Sequence, residues 1–303
     1  MTLPALRLLE ASGYTPMLTG KRWAEDLMAG MGWRFDPIEG HLTDDISHVR
    51  YLSRHVGPRP LGLLFPNSIG SALLFAFGRV RSAGFPTDGR RLFLDKVVPE
   101  PPVMHEVKRF FTLAHGAILA WGGTPAWDAV PKSLGLQVLA RHEAAVRNLT
   151  EKYSLPKRYA LLAPVAKGLH HGKVKAWPHF NDLCKPLREA GIEPLVFPSP
   201  DEVDAAKAAC PDARVLPPTT LGNYAALAKH ARLVVANDSG VSHIAAAVGA
   251  RQITLMGVTD PARTGPWNEN AVVLGSEKEG WPEVGAVLDA LKKLISEPFP
   301  AES

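Results

Sequence analysis

A short polar string, Asn237-Asp238-Ser239-Gly240 followed by His243, combines the residue types in this chain that are best suited to chemistry. The apolar run Leu233–Ala236 before it has the length of a buried strand, and the apolar residues after it recur at helical spacing. A glycine-containing turn from a strand into a helix points backbone N–H groups outward at the positive end of the helix dipole. The sequence therefore predicts a phosphate site here, with Ser239 as a hydroxyl donor and His243 one helical turn away.

Each of these residues also fits a structural role when it is taken alone. Asp238 or Ser239 would make a good N-cap for the helix, and a single histidine on a helix is commonly a hydrogen-bonded core residue. The combination of strand, hydroxyl, glycine and histidine is more specific than any one of them.

A second group that could bind phosphate lies in the loop Lys175-Ala176-Trp177-Pro178, downstream of a strand-like apolar run at Tyr159–Ala163. The carboxyl ends of neighbouring parallel strands share one edge of a sheet, so the Lys175 ammonium could reach a phosphate at the 238–241 turn. Lys173 and Lys175 are also compatible with solvated loop lysines, and the Trp-Pro that follows favours the first interpretation. His170, His171 and His179 lie nearby without a carboxylate or cysteine at ligand spacing, so no metal site is predicted.

The string Val234–Ala250 resembles the signature of glycosyltransferase family 9, the bacterial lipopolysaccharide heptosyltransferases. In that family a strand ends in Asn-Asp-(Ser/Thr)-Gly, and a His, Ala-Ala and a Gly follow before the next strand. A Gly-x-Thr-x-Pro loop comes after that strand, as Gly257–Pro261 does here. The resemblance extends to Lys175–Pro178 and to Phe65-Pro66-Asn67-Ser68, so it covers nearly the whole chain.

The resemblance implies an α/β fold of the GT-B class, with two Rossmann-like domains whose parallel sheets face a cleft. It implies a metal-independent transferase without a cofactor, moving a heptose or related sugar from a nucleotide-diphosphate sugar such as ADP-heptose to a lipid-linked lipopolysaccharide core acceptor. The implied catalytic residues are Lys175 and Asp238, and the implied donor-binding residues are Lys175, Asp238, Ser239, Gly240, His243 and Thr259. The family also presents an acid to the ribose where this chain has Asp201-Glu202, although Pro198 and Pro200 disturb that pattern.

The predicted acceptor-binding residues are Asn67, Ser68, Arg90 and Arg91 in the first half of the chain. Asn67 and Ser68 follow a predicted strand at 61–65, where a helix cap formed by Ser68 or Ser71 would explain them equally well. The most basic stretch, Arg79–Lys96, suits the phosphates and acidic sugars of such an acceptor. Attraction of the same stretch to anionic lipid predicts peripheral contact with the inner membrane.

The 303 residues are 46% hydrophobic and 21% charged, which is typical of a soluble globular protein, and the length suits two medium domains or one large one. The net charge of +4 is mild and would fit contact with anionic lipid, phosphorylated sugars or nucleic acid. Because the family resemblance implies sugar chemistry, we predict no nucleic-acid partner. Two cysteines, Cys184 and Cys210, cannot form a disulfide framework and favour a cytoplasmic setting. The uncharged run Leu61–Gly78 is broken by Pro66-Asn67-Ser68, so it does not predict a membrane span.

Strands alternating with helices predict parallel sheets, divided into an acceptor-side domain at 1–150 and a donor-binding domain at 151–303. In the family the first strand ends in Gly-Asp, and its Asp is the base that takes the acceptor proton. The chain starts at Met1-Thr2-Leu3-Pro4-Ala5-Leu6, which matches the helix after that strand. We therefore expect the opening strand and the base to be missing, with a start assigned to an internal methionine as the favoured explanation. A relative that uses another nucleotide-sugar, or a non-catalytic nucleotide-sugar binder, remain alternatives.

Overall fold

The computed structural model describes residues 1–166, 169–170 and 172–298. It divides into two compact units, Met1–Pro131 and Lys132–Ser303. The division falls earlier than the predicted boundary at 150, because helix α6 (Ala140–Tyr153) packs against helix α9 (Leu221–His230) of the second unit. The segment before α6 joins the same unit, since the Leu136 N–H donates to the Ala247 carbonyl at 2.8 Å.

The first unit alternates helices with short parallel strands. Its helices are α1 (Leu3–Ala11), α2 (Trp23–Met28), α3 (Leu42–Val56), α4 (Ile69–Phe77) and α5 (Glu106–Ala120). Its strands are β1 (Met17–Lys21), β2 (Arg34–Ile38), β3 (Leu61–Leu63), β4 (Arg81–Gly84) and β5 (Lys96–Val97). Within the described residues these strands form two separate parallel sheets, β1–β2 and β3–β4–β5.

Helix α1 illustrates how the sequence determines local structure in this unit. Leu3, Leu6 and Leu9 form the predicted apolar face, which is buried, and α1 packs against α5. Gly13 ends the helix at φ +88°, a left-handed conformation that glycine adopts without steric cost.

The second unit contains a larger sheet with helices connecting its strands. Its other helices are α7 (Cys184–Glu189), α8 (Val203–Ala209), α10 (Gly240–Ala247), α11 (Pro261–Thr264) and α12 (Val284–Ser296). Its strands are β6 (Tyr159–Ala163), β7 (Leu169–His170), β8 (Lys173–Val174), β9 (Glu193–Val196), β10 (Arg214–Val215), β11 (Leu233–Asn237), β12 (Gln252–Leu255) and β13 (Ala271–Leu274). Strands β7 and β8 form a small antiparallel hairpin.

The main sheet of the second unit has the strand order β10-β9-β6-β11-β12-β13, and every pairing in it is parallel. Numbered by appearance within this sheet, the order is 3-2-1-4-5-6, which is the Rossmann arrangement. The central strands β6 and β11 are buried along nearly their whole length, as expected for a parallel sheet covered by helices. The predicted α/β architecture with parallel sheets is confirmed. In the part of the chain that is described, no helix is long and apolar enough to cross a membrane.

Candidate functional site

The two central strands of the second sheet, β6 and β11, are neighbours at the point where the strand order reverses. From β6 the chain continues outward to β9 and β10, whereas β11 begins the strands on the other side. Open parallel sheets bind ligands beyond the carboxyl ends of their strands at such a switch point. All five residues of β11 are buried, and its last residue, Asn237, lies at that end.

The side chain of Asn237 joins three segments at the switch point. Its Oδ1 accepts a hydrogen bond from the Trp177 backbone N–H at 2.9 Å. Its Nδ2 donates to the carbonyls of Ala163 at 3.2 Å and Pro164 at 2.9 Å. Asn237 is fully buried, so these bonds satisfy an amide that would otherwise be costly to remove from water. The amide thereby holds the loop after β6 and the loop containing Trp177 against the end of β11.

The Trp177 side chain fixes the loop that carries Lys175. The indole is buried, its ring centroid lies 5.7 Å from that of Phe180, and its Nε1 donates to the Pro282 carbonyl at 2.9 Å. The loop that carries Lys175 is therefore held in place by contacts of Trp177 with the rest of the second unit. Such an ordered loop is what the interpretation of Lys175 as a phosphate ligand needs.

Asp238 is the centre of a cluster that contains four of the predicted donor-binding residues. Its Oδ2 accepts a hydrogen bond from Thr259 Oγ1 at 2.7 Å and lies 3.3 Å from Lys175 Nζ. Its Oδ1 lies 3.8 Å from His243 Nε2. Asp238 and Thr259 are buried, whereas the side chains of Lys175 and His243 each keep 23% of their exposure. The ammonium of Lys175 has three donors, so it can bind an anion while it remains beside Asp238.

The start of α10 lies directly after Asp238 and is open to a ligand. Ser239 is the N-cap residue but makes no capping hydrogen bond, and its buried Oγ has no partner among the described residues. Gly240 is exposed, and a side chain there would meet no atom within 4 Å. First-turn backbone N–H groups and an unused hydroxyl at an open helix start are the features of an anion site.

Thr259 is held by a loop that depends on a close contact at Gly257. A Cβ atom on Gly257 would lie 2.2 Å from the Trp281 ring, so any larger residue would displace the indole. The Glu277 N–H also donates to the Thr259 carbonyl at 3.0 Å. In the Gly-x-Thr pattern, glycine is therefore required at the first position because a side chain would collide with Trp281. Threonine at the third position donates its hydroxyl hydrogen bond to Asp238.

The acidic pair Asp201-Glu202 lies after β9, the neighbour of β6 in the sheet. Ser199 Oγ lies within hydrogen-bond distance of Asp201 Oδ1 at 2.7 Å and of Glu202 Oε2 at 2.5 Å. The Ser199 N–H also donates to Glu202 Oε2 at 3.2 Å. The end of the second strand is where Rossmann domains present an acid to a ribose, so the pair has a suitable location despite its neighbouring prolines.

The predicted acceptor residues of the first unit lie at the carboxyl end of β3 and β4, and they differ in character. Ser68 caps α4, because its Oγ accepts a hydrogen bond from the Ser71 N–H at 3.3 Å. Arg90 is fully buried; its Nε donates to the Phe85 carbonyl at 2.7 Å and its Nη2 to Asn67 Oδ1 at 3.3 Å. Its Nη1 donates to the carbonyl of Pro66. Arg91, in contrast, is exposed.

Burial lowers the pKa of the Arg90 guanidinium, although the nearby Asp88 carboxylate opposes that shift. The three hydrogen bonds anchor the turn at Pro66 and Asn67, so Arg90 itself is a positioning group. The basic stretch Arg79–Lys96 does not form one surface: Arg79 and Arg81 lie at the amino end of β4, and Arg91 lies beyond its carboxyl end.

Within the described residues, no three His, Cys, Asp or Glu side chains form a group that could hold a metal ion. His179 Nδ1 lies 3.3 Å from Asp182 Oδ2. His171 lies outside the described residues, and only the backbone of His170 is described.

A Rossmann-ordered sheet with a lysine, a hydroxyl group and an exposed helix start at its switch point is typical of α/β proteins that bind nucleotides or sugar phosphates. The family model for glycosyltransferase family 9 (heptosyltransferase) matches residues 52–293. The chain belongs to this family, as its resemblance predicted, and it is a glycosyltransferase.

Individual relatives agree with that assignment. Lipooligosaccharide heptosyltransferase 2 of Haemophilus influenzae is 28% identical over 279 residues, which are 83% of this chain and 77% of the relative. Lipopolysaccharide heptosyltransferase 1 of Escherichia coli is 33% identical over 128 residues, 40% of each chain.

Solved structures share the fold. The E. coli ADP-heptose lps heptosyltransferase II superposes with a TM-score of 0.76 at 23% identity and covers 97% of this chain and 94% of its own. The E. coli heptosyltransferase WaaC with ADP gives 0.75 at 19% identity, covering 97% and 95%. At these identities the likeness establishes the GT-B fold.

Proposed function

We propose that this protein transfers a heptose from ADP-heptose to a lipopolysaccharide inner-core acceptor. The observation that carries the proposal is the cluster of Lys175, His243 and Thr259 around Asp238 at the open start of α10. The names of the E. coli structures, one with ADP and one called an ADP-heptose transferase, support the donor class.

The proposed donor site stabilises a leaving diphosphate. The acceptor hydroxyl attacks the anomeric carbon of the donor sugar and gives up its proton to solvent, the bond from that carbon to the diphosphate oxygen breaks, and ADP departs with the electron pair. Negative charge grows on the diphosphate as the bond breaks. The Lys175 ammonium and the first N–H groups of α10 are the donors available to stabilise it, and the buried Ser239 hydroxyl beside them is without a partner among the described residues.

Asp238 acts in this proposal as an orienting residue for Lys175. Its Oδ2 lies 3.3 Å from Lys175 Nζ and is itself fixed by Thr259 Oγ1 at 2.7 Å. The carboxylate therefore holds the ammonium near the α10 start before a ligand arrives. Preorganised charge of this kind costs no reorganisation during the reaction. Glu202 and Asp201, beyond the next strand, are the proposed ribose contacts.

The acceptor contacts are proposed on the first unit. Asn67, Ser68 and the exposed Arg91 offer donors for sugars and phosphates, and Arg90 keeps their turn in place through its hydrogen bonds to Pro66 and Asn67. The lipid-linked nature of the acceptor puts the reaction at the cytoplasmic face of the inner membrane. The free, buried thiols of Cys184 and Cys210 fit a reducing compartment.

Calorimetric titration with ADP and a turnover assay with ADP-heptose test the proposal. Lys175→Ala should weaken ADP binding by about tenfold to a hundredfold, the effect of losing one charge-assisted hydrogen bond. Lys173→Ala, an exposed lysine two residues away, is the matched control and should bind ADP as the wild type does. If wild type, Lys175→Ala and Lys173→Ala bound ADP with equal affinity, the nucleotide would have to bind at a site that does not include Lys175.

Two other functions give different results in the same experiments. A transferase that uses another nucleotide-sugar would bind a different nucleotide more tightly than ADP and transfer its sugar. A non-catalytic binder would bind ADP-heptose, and Lys175→Ala would weaken that binding. It would transfer no heptose to a lipopolysaccharide acceptor whose core is truncated before its heptose residues.

A further inference from the structure

We propose that Cys184 and Cys210 form a reversible disulfide that cross-links helix α7 to the end of helix α8 under oxidising conditions. They are the two cysteines of the chain. Cys184 is the first residue of α7, and Cys210 directly follows the last residue of α8. Both are free thiols in the structure, which is the state expected in a reducing compartment. The proposal concerns the redox chemistry of the second unit and does not depend on the proposed transferase activity.

The two sulfur atoms are in contact before any bond forms. Cys184 Sγ lies 3.4 Å from Cys210 Sγ, although the residues are 26 positions apart in the chain. A disulfide holds its sulfurs at about 2.05 Å, so the bond requires an approach of little more than an ångström. Small rotations of two side chains supply a movement of that size, and the backbone need not rearrange.

Polar contacts hold the chain segments on either side of the sulfur pair. Asn181 lies in the short 3-10 helix Phe180–Leu183 that leads into α7, and its Nδ2 donates to Asp212 Oδ2 at 2.8 Å. The Asp212 N–H donates in return to Asn181 Oδ1 at 2.9 Å. Asn181 precedes Cys184 by three residues and Asp212 follows Cys210 by two, so this paired bond keeps the two thiols facing each other.

The local environment favours Cys184 as the attacking thiol. The hydrogen bond with Cys210 lowers the pKa of the Cys184 thiol and outweighs the opposing effect of burial, and the charge of Arg188 lowers it further. The same hydrogen bond, together with burial, raises the pKa of the Cys210 thiol. Because the thiolate is the nucleophile in thiol–disulfide exchange, Cys184 reacts first and Cys210 completes the bond.

Helix α8 gives an oxidant access to the thiols. Both cysteines are fully buried in the core cluster of the second unit, so an oxidant reaches them when part of that cluster opens. Ala206 is the one buried residue among the seven of α8, and it belongs to the same cluster. A short helix with so little buried apolar surface opens at a lower free-energy cost than the whole unit. Its opening withdraws Ala206, one helical turn before Cys210, from the sulfur pair.

The co-reactant is a small-molecule disulfide such as glutathione disulfide. The Cys184 thiolate attacks one of its sulfurs, a mixed disulfide forms, and one glutathione leaves as a thiolate. The Cys210 thiolate then attacks the Cys184 sulfur and displaces the second glutathione. The two cysteines lose two electrons and two protons, and the glutathione disulfide gains them to become two glutathione thiols. Closure of α8 then buries the new bond.

A metal site and simple packing explain the pair less well. Structural zinc needs four ligands, and in the described part of the chain no three His, Cys, Asp or Glu side chains form a group that could hold a metal ion. Buried cysteines also act as small apolar residues. Packing alone, however, gives no reason for the two cysteines of the chain to touch each other.

Thiol counting on the full chain tests the disulfide. After incubation with glutathione disulfide and removal of the reagent, the denatured wild type should show no free thiol and a mass lower by two hydrogen atoms, and dithiothreitol should restore both thiols. The oxidised protein should melt about 5 °C or more above the reduced protein, because the cross-link restricts the unfolded chain. Amide hydrogen exchange in residues 203–209 should slow on oxidation, because the bond opposes the opening of α8.

Three variants separate the cross-link from other effects of oxidation. Cys210→Ala keeps one thiol, so it should take up at most one glutathione and show no rise in melting temperature. Ala208→Gly weakens α8 at an exposed position and should speed disulfide formation about fivefold, the usual effect of glycine in place of alanine within a helix. Ala286→Gly makes the same change at an exposed position of α12 and should leave the rate of oxidation unchanged.

Several results would overturn the proposal. These are two free thiols after the treatment, one glutathione on each cysteine, a disulfide between two chains, or equal rates of oxidation in Ala208→Gly and Ala286→Gly. An oxidised protein that melts at or below the temperature of the reduced one would also contradict it. Thiol counting, melting and hydrogen exchange need neither nucleotide nor turnover, so they remain decisive if the proposed transferase activity fails.

Discussion

The backbone N–H of Trp177 and the side-chain Oδ1 of Asn237 lie 2.9 Å apart, joining positions sixty residues apart in the chain at the switch point of the second sheet. The other end of the same amide donates to Ala163 and Pro164. Lys175 is two residues from this bond and Asp238 is adjacent to it. The pairing of Lys175 with Asp238, at 3.3 Å, thus depends on an amide that need not touch the ligand itself.

Asn237→Ala should therefore weaken ADP binding by about tenfold or more, because the Lys175 loop loses its anchor to β11. Gln252→Ala is the matched control: Gln252 is also a fully buried amide, on the adjacent strand, bonded to Ser242 and Thr254. Each variant should lose about 1–3 kcal/mol of stability, since each leaves buried polar groups unsatisfied. Only Asn237→Ala should lose affinity in calorimetric titration. A parallel loss in Gln252→Ala would assign the effect to general destabilisation.

The strands that form the donor site could be predicted from local sequence. The run Tyr159–Ala163 is β6 as predicted, and the run at Leu233–Ala236 is β11 with one further residue. Both strands lie in the middle of a parallel sheet with helices on its two faces, so their side chains are nearly all buried. Their sequences are therefore nearly continuous apolar runs, which predict buried strands. Strand β2, with the sequence Arg-Phe-Asp-Pro-Ile, was not predicted. Its charges and proline suit a strand with one partner, and such a strand has no periodic signature.

Contacts between distant segments could not be read from the sequence. Arg90 belongs to a basic run, and only the fold reveals that the carbonyls of Pro66 and Phe85 surround its guanidinium. The division into compact units lies before the boundary predicted at 150, since α6 precedes the first strand of the second sheet and its packing on α9 has no local signal. Asn237 was recognised as part of a motif, but its partners lie in two loops far away in sequence.

Gly240→Val tests whether the start of α10 receives the ligand. A side chain at this position meets no atom within 4 Å, so the variant should fold with a melting temperature close to that of the wild type. The added methyl groups would occupy the space in front of the first N–H groups, and ADP affinity should fall about tenfold or more. Gly285→Val, at the start of α12 and equally unobstructed, should bind ADP normally. Unchanged affinity in Gly240→Val would exclude the helix start as the phosphate contact.

Arg90→Met and Arg91→Met separate a positioning arginine from a surface one. Arg90→Met removes the partner of the Phe85 and Pro66 carbonyls and of Asn67, and it should cost about 2–4 kcal/mol in the free energy of unfolding. Arg91→Met changes an exposed side chain and should alter stability by less than about 0.5 kcal/mol. If Arg91 contacts the acceptor, its variant should instead raise the acceptor KM in the transferase assay. Urea unfolding and acceptor titration together distinguish these roles.

Glu143 on α6 bonds to Lys229 and His230 on α9, and this contact should make the free energy of unfolding depend on pH. Burial raises the pKa of this carboxyl, but hydrogen bonds with His230 at 2.6 Å and Lys229 at 3.1 Å outweigh that effect, so its pKa lies below the ordinary value. A carboxyl whose pKa is lowered by folding stabilises the protein above its unfolded pKa and loses that contribution as the pH falls through its folded pKa.

Glu143→Gln should therefore destabilise the protein by about 1 kcal/mol at neutral pH, because the side chains of Lys229 and His230 both remain half exposed and water screens the interaction. The difference from the wild type should begin to shrink as the pH falls below the ordinary glutamate pKa, and it should vanish once the pH lies below the lowered pKa of the folded state, where the wild-type carboxylate is itself protonated. Urea denaturation across this range measures it. Glu151→Gln, an exposed position on the same helix, should show a near-zero difference at every pH. A Glu143→Gln deficit that stayed constant down to low pH would mean that side-chain packing, and not the ionised carboxylate, stabilises the contact between α6 and α9.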